Sequence, residues 1–317
     1  MSESEEPAGG TFTVAAEQAG QTLAAVVRDR VAGTSWSKAR DLVRAGRVRI
    51  DGRAETDPAR RLRGGELVEL GLGGPAPRRE ELLVHLDADV AVVRKPAGLL
   101  TVPFAEDDRD TLLSRARVAI RRVDAARKAA HNPSLRAVQR LDKETSGLVV
   151  FARNVEAQRD LQRQFTAHTV LRLYLAIVHW VAEGGIHETT LVPDRGDGLR
   201  GSWGVFRPAR GTPPPEARQA ITHVNVEERL RGATLVSCRL ETGRTHQIRI
   251  HLAEAGNPLV GETVYIRDWS GPLLPAPRLL LHAAELGFVH PRTGEEIRFR
   301  EPLPDDFADF LRRLRRS

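Results

Sequence analysis

Near the N-terminus, apolar positions recur twice at helical spacing and then alternate with polar ones in two short runs. Ser35 is a candidate N-cap of the second helix and Gly46 a candidate stop. The first alternating run ends in Asp51-Gly52, a pair typical of a tight turn between strands. The pattern therefore predicts helices over 22–30 and 35–46 and strands over 47–52 and 64–70.

Further along, short apolar runs alternate with longer segments of helical period. The predicted strands are 90–94, 147–152, 172–178 and 235–240, and the predicted helices are 154–168, 245–255 and 305–316. A polar stretch rich in Gly, Pro and Arg over 193–217 predicts a surface loop. Because strands and helices are mixed rather than strictly alternating, the pattern favours an α+β domain.

Two segments without apolar periodicity divide the chain. Residues 1–10 are acidic and polar, which predicts a disordered tail. Residues 73–80 are rich in Gly and Pro, the composition of a linker. We therefore predict a small domain over 11–72 and a larger domain over 81–317.

Charge changes this picture at one place. The 317 residues carry 48 Lys+Arg and 42 Asp+Glu, a net charge of +6. Residues 28–63 hold eleven basic and five acidic residues, so this segment alone accounts for the whole excess. Lys38, Arg40, Arg44 and Arg47 lie on the second predicted helix and just after it, where they can face successive phosphates of a folded RNA. The alternative is a solvated charged helix in a small accessory domain.

Several function classes are excluded or disfavoured. The single cysteine, Cys238, lies in an apolar run, which excludes an internal disulfide framework and indicates a buried thiol. No apolar run approaches the roughly 20 residues of a membrane span, and no signal region precedes residue 10, so we expect a cytosolic protein without membrane contacts. His246 and His251 are five residues apart and share no helical face, so we expect no metal site. Ser146 lacks the Gly-x-Ser-x-Gly elbow of a serine hydrolase.

The candidate chemistry lies in the stretch Val138-Gln-Arg-Leu-Asp-Lys-Glu-Thr-Ser-Gly-Leu148. It is a charged loop that carries Asp142 and runs into a buried strand. A carboxylate at such a junction either takes part in catalysis or caps the turn, and the residues alone leave both interpretations open.

This stretch closely resembles the active-site motif of RluA-type pseudouridine synthases, His-Arg-Leu-Asp-x-x-Thr-Ser-Gly-Leu. Three further blocks follow the order of that family: Arg94-Lys-Pro-Ala-Gly98, Arg172-Leu-Tyr-Leu-Ala176 and Leu240-Glu-Thr-Gly-Arg-Thr-His-Gln-Ile-Arg-Ile-His-Leu252. The resemblance covers about residues 84–303. Ahead of it, Ala45-Gly-Arg-Val-Arg-Ile-Asp-Gly52 resembles the S4 RNA-binding domain, which often precedes this catalytic domain in the family.

Four positions depart from the family pattern. Gln139 stands where the family usually has His, and Glu262 replaces an Asp. Arg94 replaces Asn or Asp before Lys-Pro, and Arg172 replaces a Lys while keeping its charge. None of these changes removes the family's catalytic carboxylate.

The resemblance implies a fold, a reaction and a set of roles. The fold would be a mixed, mainly antiparallel sheet with helices, preceded by a small α/β S4 domain. Asp142 would be the catalytic carboxylate, Arg249 its salt-bridge partner and Tyr174 the ring that stacks on the uracil. Arg140 would enter the gap left by a flipped base. Further RNA-binding residues implied by the third block are Arg244, His246 and Gln247.

The expected activity is cofactor-free isomerisation of specific uridines in structured RNA by a monomer, with ribosomal RNA favoured and transfer RNA possible. Taken singly, Tyr174 would more often be a core residue, and Arg244 and Arg249 would be solvated. An inactive RNA-binding or ribosome-assembly factor therefore stays open as the alternative. A nucleoside glycosidase is disfavoured, because a free nucleoside requires no basic RNA-binding module.

Overall fold

A computed structural model describes residues 11–31, 34–44, 48–51, 53–55, 57–70, 82–126, 134–206, 208–209 and 211–316. The chain divides into two compact units, Met1–Arg78 and Arg79–Ser317. The predicted tail over 1–10 and linker over 73–80, with Arg47, Gly46 and Gly52, lie outside the described residues.

The first unit contains two helices and a small antiparallel sheet. The helices are α1 (Leu23–Arg30) and α2 (Trp36–Arg44), and the strands are β1 (Thr11–Thr13), β2 (Val48–Ile50), β3 (Arg53–Glu55) and β4 (Leu67–Leu70). The strands pair in the order β1-β4-β2-β3. Both predicted helices and both predicted strands are confirmed, while β1 and β3 had no clear signal in the sequence.

Side-chain caps begin both helices of this unit. The Thr22 hydroxyl accepts a hydrogen bond from the Ala25 N–H at 3.4 Å, and the Ser35 hydroxyl accepts one from the Lys38 N–H at 3.2 Å. These bonds satisfy N–H groups that have no partner within the first helical turn. The predicted cap at Ser35 is therefore confirmed.

Helix α2 separates its charged face from its apolar face. Ala39 and Val43 are fully buried in the core of the first unit, whereas Lys38 and Arg40 are exposed. Burial of the apolar face fixes the helix, which leaves these two cations available to solvent or a ligand.

The second unit is an α+β domain built on one long sheet. Its helices are α3 (Leu112–Ala126), α4 (Val155–Thr166), α5 (Gln247–Glu254) and α6 (Asp305–Arg316). Its strands are β5 (Leu83–Leu86), β6 (Val90–Lys95), β7 (Arg136–Ala137), β8 (Ser146–Ala152), β9 (Leu171–His179), β10 (Gly185–Val192), β11 (Gly201–Ser202), β12 (Arg218–Leu230), β13 (Ala233–Leu240), β14 (Leu281–Val289) and β15 (Glu296–Arg300).

The described strands pair in the order β11-β10-β12-β13-β9-β14-β8-β6-β5, with β15 beside β14 and β7 beside β8. The β14–β8 pairing is parallel, and the other pairings are antiparallel. The predicted fold class, a mixed and mainly antiparallel sheet with helices, is thus confirmed. A main core that includes Phe151, Val178 and Val236 lies against this sheet.

The amphipathic pattern predicted over 305–316 is confirmed as α6. Its residues Phe307, Phe310 and Leu311 are buried against Ile177 and Leu235 of the sheet. Within the described parts of the chain, no helix has both the length and the apolar character that crossing a membrane requires.

Candidate active site

A pocket of about 370 Å³ opens in the second unit, where β9, the loop before β8 and the start of α5 meet. It is lined by every site residue that the sequence predicts for this unit: Asp142, Tyr174, Arg249, Arg140, Arg244, His246 and Gln247. These residues are up to 109 positions apart in the chain, so the fold rather than sequence proximity assembles them.

Backbone hydrogen bonds hold the loop that carries Asp142. The Thr101 hydroxyl donates to the Leu141 carbonyl at 2.8 Å and accepts from the Leu141 N–H at 3.1 Å. The Thr145 N–H donates to the Asp142 carbonyl at 3.1 Å and closes a turn. Because the backbone on both sides of Asp142 is fixed, the carboxylate needs little reorganisation to act, which favours catalysis.

The buried ammonium of Lys95 holds this loop by hydrogen bonds to its carbonyls. Its side chain is 1 % exposed, and its ammonium donates to the carbonyls of Pro96, Lys143 and Thr145 at 3.0, 2.8 and 2.7 Å. Burial lowers the pKa of Lys95 to about 7, against the opposing effect of the Glu144 and Asp142 carboxylates. The Lys-Pro block thus anchors the loop that carries Asp142 and does not line the pocket.

A glycine allows the strand after the loop to approach its neighbour. Gly147 has φ +118°, and a Cβ there would lie 2.2 Å from the Ala283 carbonyl oxygen on β14. Only glycine combines this conformation with such close contact. The Thr-Ser-Gly part of the motif therefore has a structural reason: it sets the parallel β8–β14 contact that places the Asp142 loop.

Tyr174 lies on β9 with its ring in the pocket, 8 % exposed. Burial raises the pKa of its hydroxyl to about 12, although the Arg172 cation opposes the shift. The phenol is therefore neutral at physiological pH. A neutral buried ring is suited to packing against a base and to hydrogen bonding, and less suited to acting as a phenolate.

The predicted salt bridge between Arg249 and Asp142 is wrong for this structure. Arg249 donates to both carboxylate oxygens of Glu262, from Nε at 2.8 Å and from Nη2 at 2.6 Å. Burial disfavours the charge of Arg249, but the Glu262 carboxylate raises its pKa above the usual value. Asp142 is a more distant electrostatic neighbour of this guanidinium. The bidentate geometry and full burial of Glu262 explain why it takes the cation.

Among the described residues, His246 is the basic side chain that comes within 4.0 Å of the Asp142 carboxylate. Its Nε2 is 4.0 Å from Asp142 Oδ2, and its Nδ1 is 2.8 Å from the Tyr265 hydroxyl. Its backbone has φ +58°, the left-handed conformation, immediately before α5. Burial lowers the pKa of His246, and Asp142 only partly offsets this, so the imidazole is neutral at pH 7. Sequence reasoning assigned His246 to RNA binding and missed its contact with Tyr265.

The remaining predicted residues differ in what their side chains do. Gln247 is buried, and its amide bonds the Arg244 N–H, the Thr242 hydroxyl, the Ile221 carbonyl and the Thr222 hydroxyl. Its polar groups are thus used inside the protein, so direct RNA contact by this amide is not favoured. Arg140 is exposed at the pocket mouth.

In the first unit, the structure describes the side chains of two of the four predicted RNA-binding residues. Lys38 and Arg40 lie exposed on α2. The side chain of Arg44 and all of Arg47 lie outside the described residues.

Another cluster of ligand-type side chains lies outside the pocket. Asp87, Asp89 and His290 have oxygen and nitrogen atoms within 4.8 Å of one another. The Asp89 carboxylate already accepts two hydrogen bonds from Arg292 at 2.6 Å and one from Asn154 at 2.7 Å. These protein donors account for the cluster, which ties β14 to the turn before β6.

Comparison with known proteins matches both units. The family model described as RNA pseudouridylate synthase matches residues 89–254, and the S4 domain model matches residues 23–68. The first match covers more than half of the chain and contains the whole lining of the Asp142 pocket except Leu281. The chain belongs to the RNA pseudouridylate synthase family and is an RNA pseudouridine synthase with an N-terminal S4 domain.

Related proteins are similar in sequence to this chain over most of its length. An RNA pseudouridine synthase of Bacillus subtilis (strain 168), YlyB, is 36 % identical over 241 residues, which cover 74 % of this chain and 73 % of the relative. The ribosomal large subunit pseudouridine synthase D of Xanthomonas campestris pv. campestris is 34 % identical over a region that covers 94 % of this chain and 90 % of the relative. The structure of human RNA pseudouridylate synthase domain containing 4 matches 74 % of this chain and 92 % of its own, with a TM-score of 0.58 and 23 % identity. It shows the same fold.

Proposed function

We propose that this enzyme isomerises specific uridines of large-subunit ribosomal RNA, with Asp142 as its catalytic carboxylate. The observation that carries the catalytic assignment is the position of Asp142: a half-buried carboxylate on a fixed loop, inside a pocket that also presents the Tyr174 ring and the Arg249 cation. The name of the Xanthomonas relative, a ribosomal large subunit pseudouridine synthase, supports the choice of substrate.

The reaction rearranges one nucleotide without any external group. The C1′–N1 bond breaks, C1′ bonds to C5 of the rotated uracil, and the C5 proton is lost while N1 gains one. An ionised carboxylate beside the ribose can start this reaction in two ways, by attack on C1′ or by removal of the C2′ proton. Asp142 is open to the pocket and serves either route. We propose that no cofactor is required.

Entry of the target nucleotide requires base flipping. Unstacking a base costs a few kcal/mol, which a planar group that fills the gap partly offsets. The exposed Arg140, two residues before Asp142, lies at the pocket mouth and is placed for this role. Once inside, the uracil would pack against the neutral Tyr174 ring. We propose that the protein acts as a cytoplasmic monomer, where it meets ribosomal RNA.

Mapping of pseudouridine in cellular RNA tests the proposed function. Carbodiimide modification with sequencing is expected to show at least one large-subunit site that disappears when the gene is deleted. Restoring the wild-type chain should restore that site, and restoring an Asp142→Asn chain should not. A map that is identical in the wild-type and deletion strains would contradict the ribosomal substrate, and loss of a transfer-RNA site alone would replace it.

The exposed cations of α2 provide a prediction about binding. The double substitution Lys38→Gln and Arg40→Gln is expected to weaken RNA binding and to lower the slope of log Kd against log salt by about 1.5, since each lost phosphate contact removes about 0.7–0.9. Equilibrium binding over a salt series measures this slope. Arg298→Gln, an exposed cation on β15 and outside the basic segment 28–63, is the control. Equal slopes in all three proteins would show that α2 does not contact phosphates.

A further inference from the structure

Arg172, on β9 two residues before Tyr174, is a buried cation without a carboxylate partner. The residue is 7 % exposed, and its Nη2 donates to the Glu241 carbonyl at 2.6 Å. Its Nε is enclosed without a hydrogen-bond partner. Burial lowers the pKa of Arg172. A buried charge that is not paired is costly, so this arrangement calls for an explanation outside the unliganded protein.

The other arginines buried to the same degree in the described residues are paired. Arg249, 5 % exposed, binds Glu262, and Arg153, 6 % exposed, binds Asp124 at 2.7 Å. No carboxylate of the described residues lies within 4 Å of the Arg172 guanidinium. The fold therefore neutralises its buried arginines elsewhere and leaves this one uncompensated in the pocket wall.

The Phe165 ring and the backbone of Gly243 lie beside the Arg172 guanidinium. Its guanidinium lies 5.6 Å from the centre of the Phe165 ring, within the range of a cation–π contact. Gly243 is exposed, and a Cβ at that position would lie 2.5 Å from Arg172 Nη1. Only a residue without a side chain therefore separates this nitrogen from the pocket rim. Arg172 and Tyr174 share one face of β9, about 7 Å apart.

The charges of the pocket lining indicate which group of a ligand binds at Arg172. Among its lining residues Asp142 is the single acidic one, against four arginines: Arg140, Arg172, Arg244 and Arg249. Glu262 neutralises the last of these. An uncharged carbonyl oxygen would leave the remaining positive charge uncompensated, whereas RNA supplies one phosphate per nucleotide, and a guanidinium binds phosphate with two parallel hydrogen bonds.

We propose that Arg172 binds a phosphate of the RNA strand that carries the target uridine. The contact makes Arg172 a positioning residue: it fixes the backbone at the rim beside Gly243 while the uracil packs against Tyr174 and the ribose faces Asp142. The inference rests on the RNA substrate of the proposed function and not on its being ribosomal.

Salt dependence of binding separates a phosphate contact from other roles. The probe is an RNA oligonucleotide containing the uridine that cellular mapping identifies, bound by full-length proteins carrying Asp142→Asn so that no turnover occurs. Adding Arg172→Met is expected to raise Kd about tenfold and to lower the salt slope by about 0.7. Arg172→Lys keeps the charge and should keep the slope. Arg298→Met, an exposed cation on β15 outside the pocket, is the matched control and should leave both unchanged.

A second arm locates the phosphate. Methylphosphonate substitution at one phosphate next to the target uridine is expected to remove the difference in Kd between Arg172 and Arg172→Met proteins. Weaker binding with an unchanged slope would assign Arg172 to a uracil carbonyl and overturn the proposal. Unchanged Kd and slope in a variant with wild-type thermal unfolding would make the residue structural. Because the probe is whichever RNA mapping identifies, a non-ribosomal target contradicts the proposed substrate without affecting this result.

Discussion

Asp142→Asn is expected to lower the rate of pseudouridine formation by about 10⁴-fold while RNA binding stays within a few-fold of wild type. Asparagine keeps the size of the side chain but can neither attack C1′ nor accept the C2′ proton. The loop backbone is held by Thr101 and Thr145 and not by the carboxylate itself, so the pocket should keep its shape. Single-turnover assays with carbodiimide detection measure the rate, and equilibrium binding measures affinity.

Glu144→Gln is the matched control for this substitution. Glu144 lies two residues further along the same loop, carries the same functional group and is absent from the pocket lining. Its change to an amide should leave turnover close to wild type. If Asp142→Asn retained a tenth of the wild-type rate, the Asp142 carboxylate would not be the catalytic group.

Local periodicity was sufficient for the elements whose apolar pattern matches their own secondary structure. Helices α2 and α6 each bury one apolar stripe, and strands β6 and β8 are continuous apolar runs, so each was predicted nearly to its boundaries. By contrast, β12 is 13 residues long and mixes buried Ala220 and Val224 with Arg229 and several exposed polar residues. No strand is predicted there from the sequence, although Ala220, Thr222 and Val224 are buried at alternate positions. Pairing with β10 and β13 determines it instead.

The candidate site shows the same division between motif and contact. The motifs predicted the functional members of the pocket correctly, because three of the four blocks carry lining residues, while the Lys-Pro block holds the Asp142 loop and does not line the pocket. The motifs could not predict which groups these residues bind inside the protein. Arg249 binds Glu262 and not Asp142, and the Gln247 amide forms its hydrogen bonds with protein groups. Which carboxylate takes a buried cation depends on distances that only the packed α5 and the 259–265 turn define. From the sequence, Arg172 is only a charge-preserving replacement for Lys, and the lack of a carboxylate partner is visible only in the fold.

Glu262→Gln is expected to destabilise the protein by about 3–5 kcal/mol, because it leaves the Arg249 cation buried without a counter-ion. The Glu262 side chain is fully buried, and besides Arg249 it accepts hydrogen bonds from the N–H groups of Thr263 and Val264 at 3.0 and 2.8 Å. Urea unfolding at neutral pH measures the loss. Turnover should fall as well, since Arg249 would no longer be fixed in the pocket wall.

The pH dependence of this effect follows from the same contacts. Burial favours the protonated form of Glu262, but the hydrogen bonds and charge of Arg249 outweigh it, and the net pKa lies below the ordinary value of 4.5. A carboxyl whose pKa is lowered by folding stabilises the protein above its unfolded pKa, and this contribution is lost as the pH falls through the folded pKa. The difference in stability between wild type and Glu262→Gln should therefore be largest at neutral pH and shrink on acidification.

Glu262→Asp is the informative comparison, because aspartate has the same charge as Glu262 and is one methylene shorter. The shorter side chain keeps the charge, so the variant should retain most of the stability and should show the same direction of pH dependence as wild type. A Glu262→Gln protein within 1 kcal/mol of wild type would mean that Arg249 finds another partner, with Asp142 the nearest carboxylate in its electrostatic surroundings. In that case the two substitutions should differ in turnover, since an Arg249–Asp142 contact would alter the carboxylate that the reaction uses.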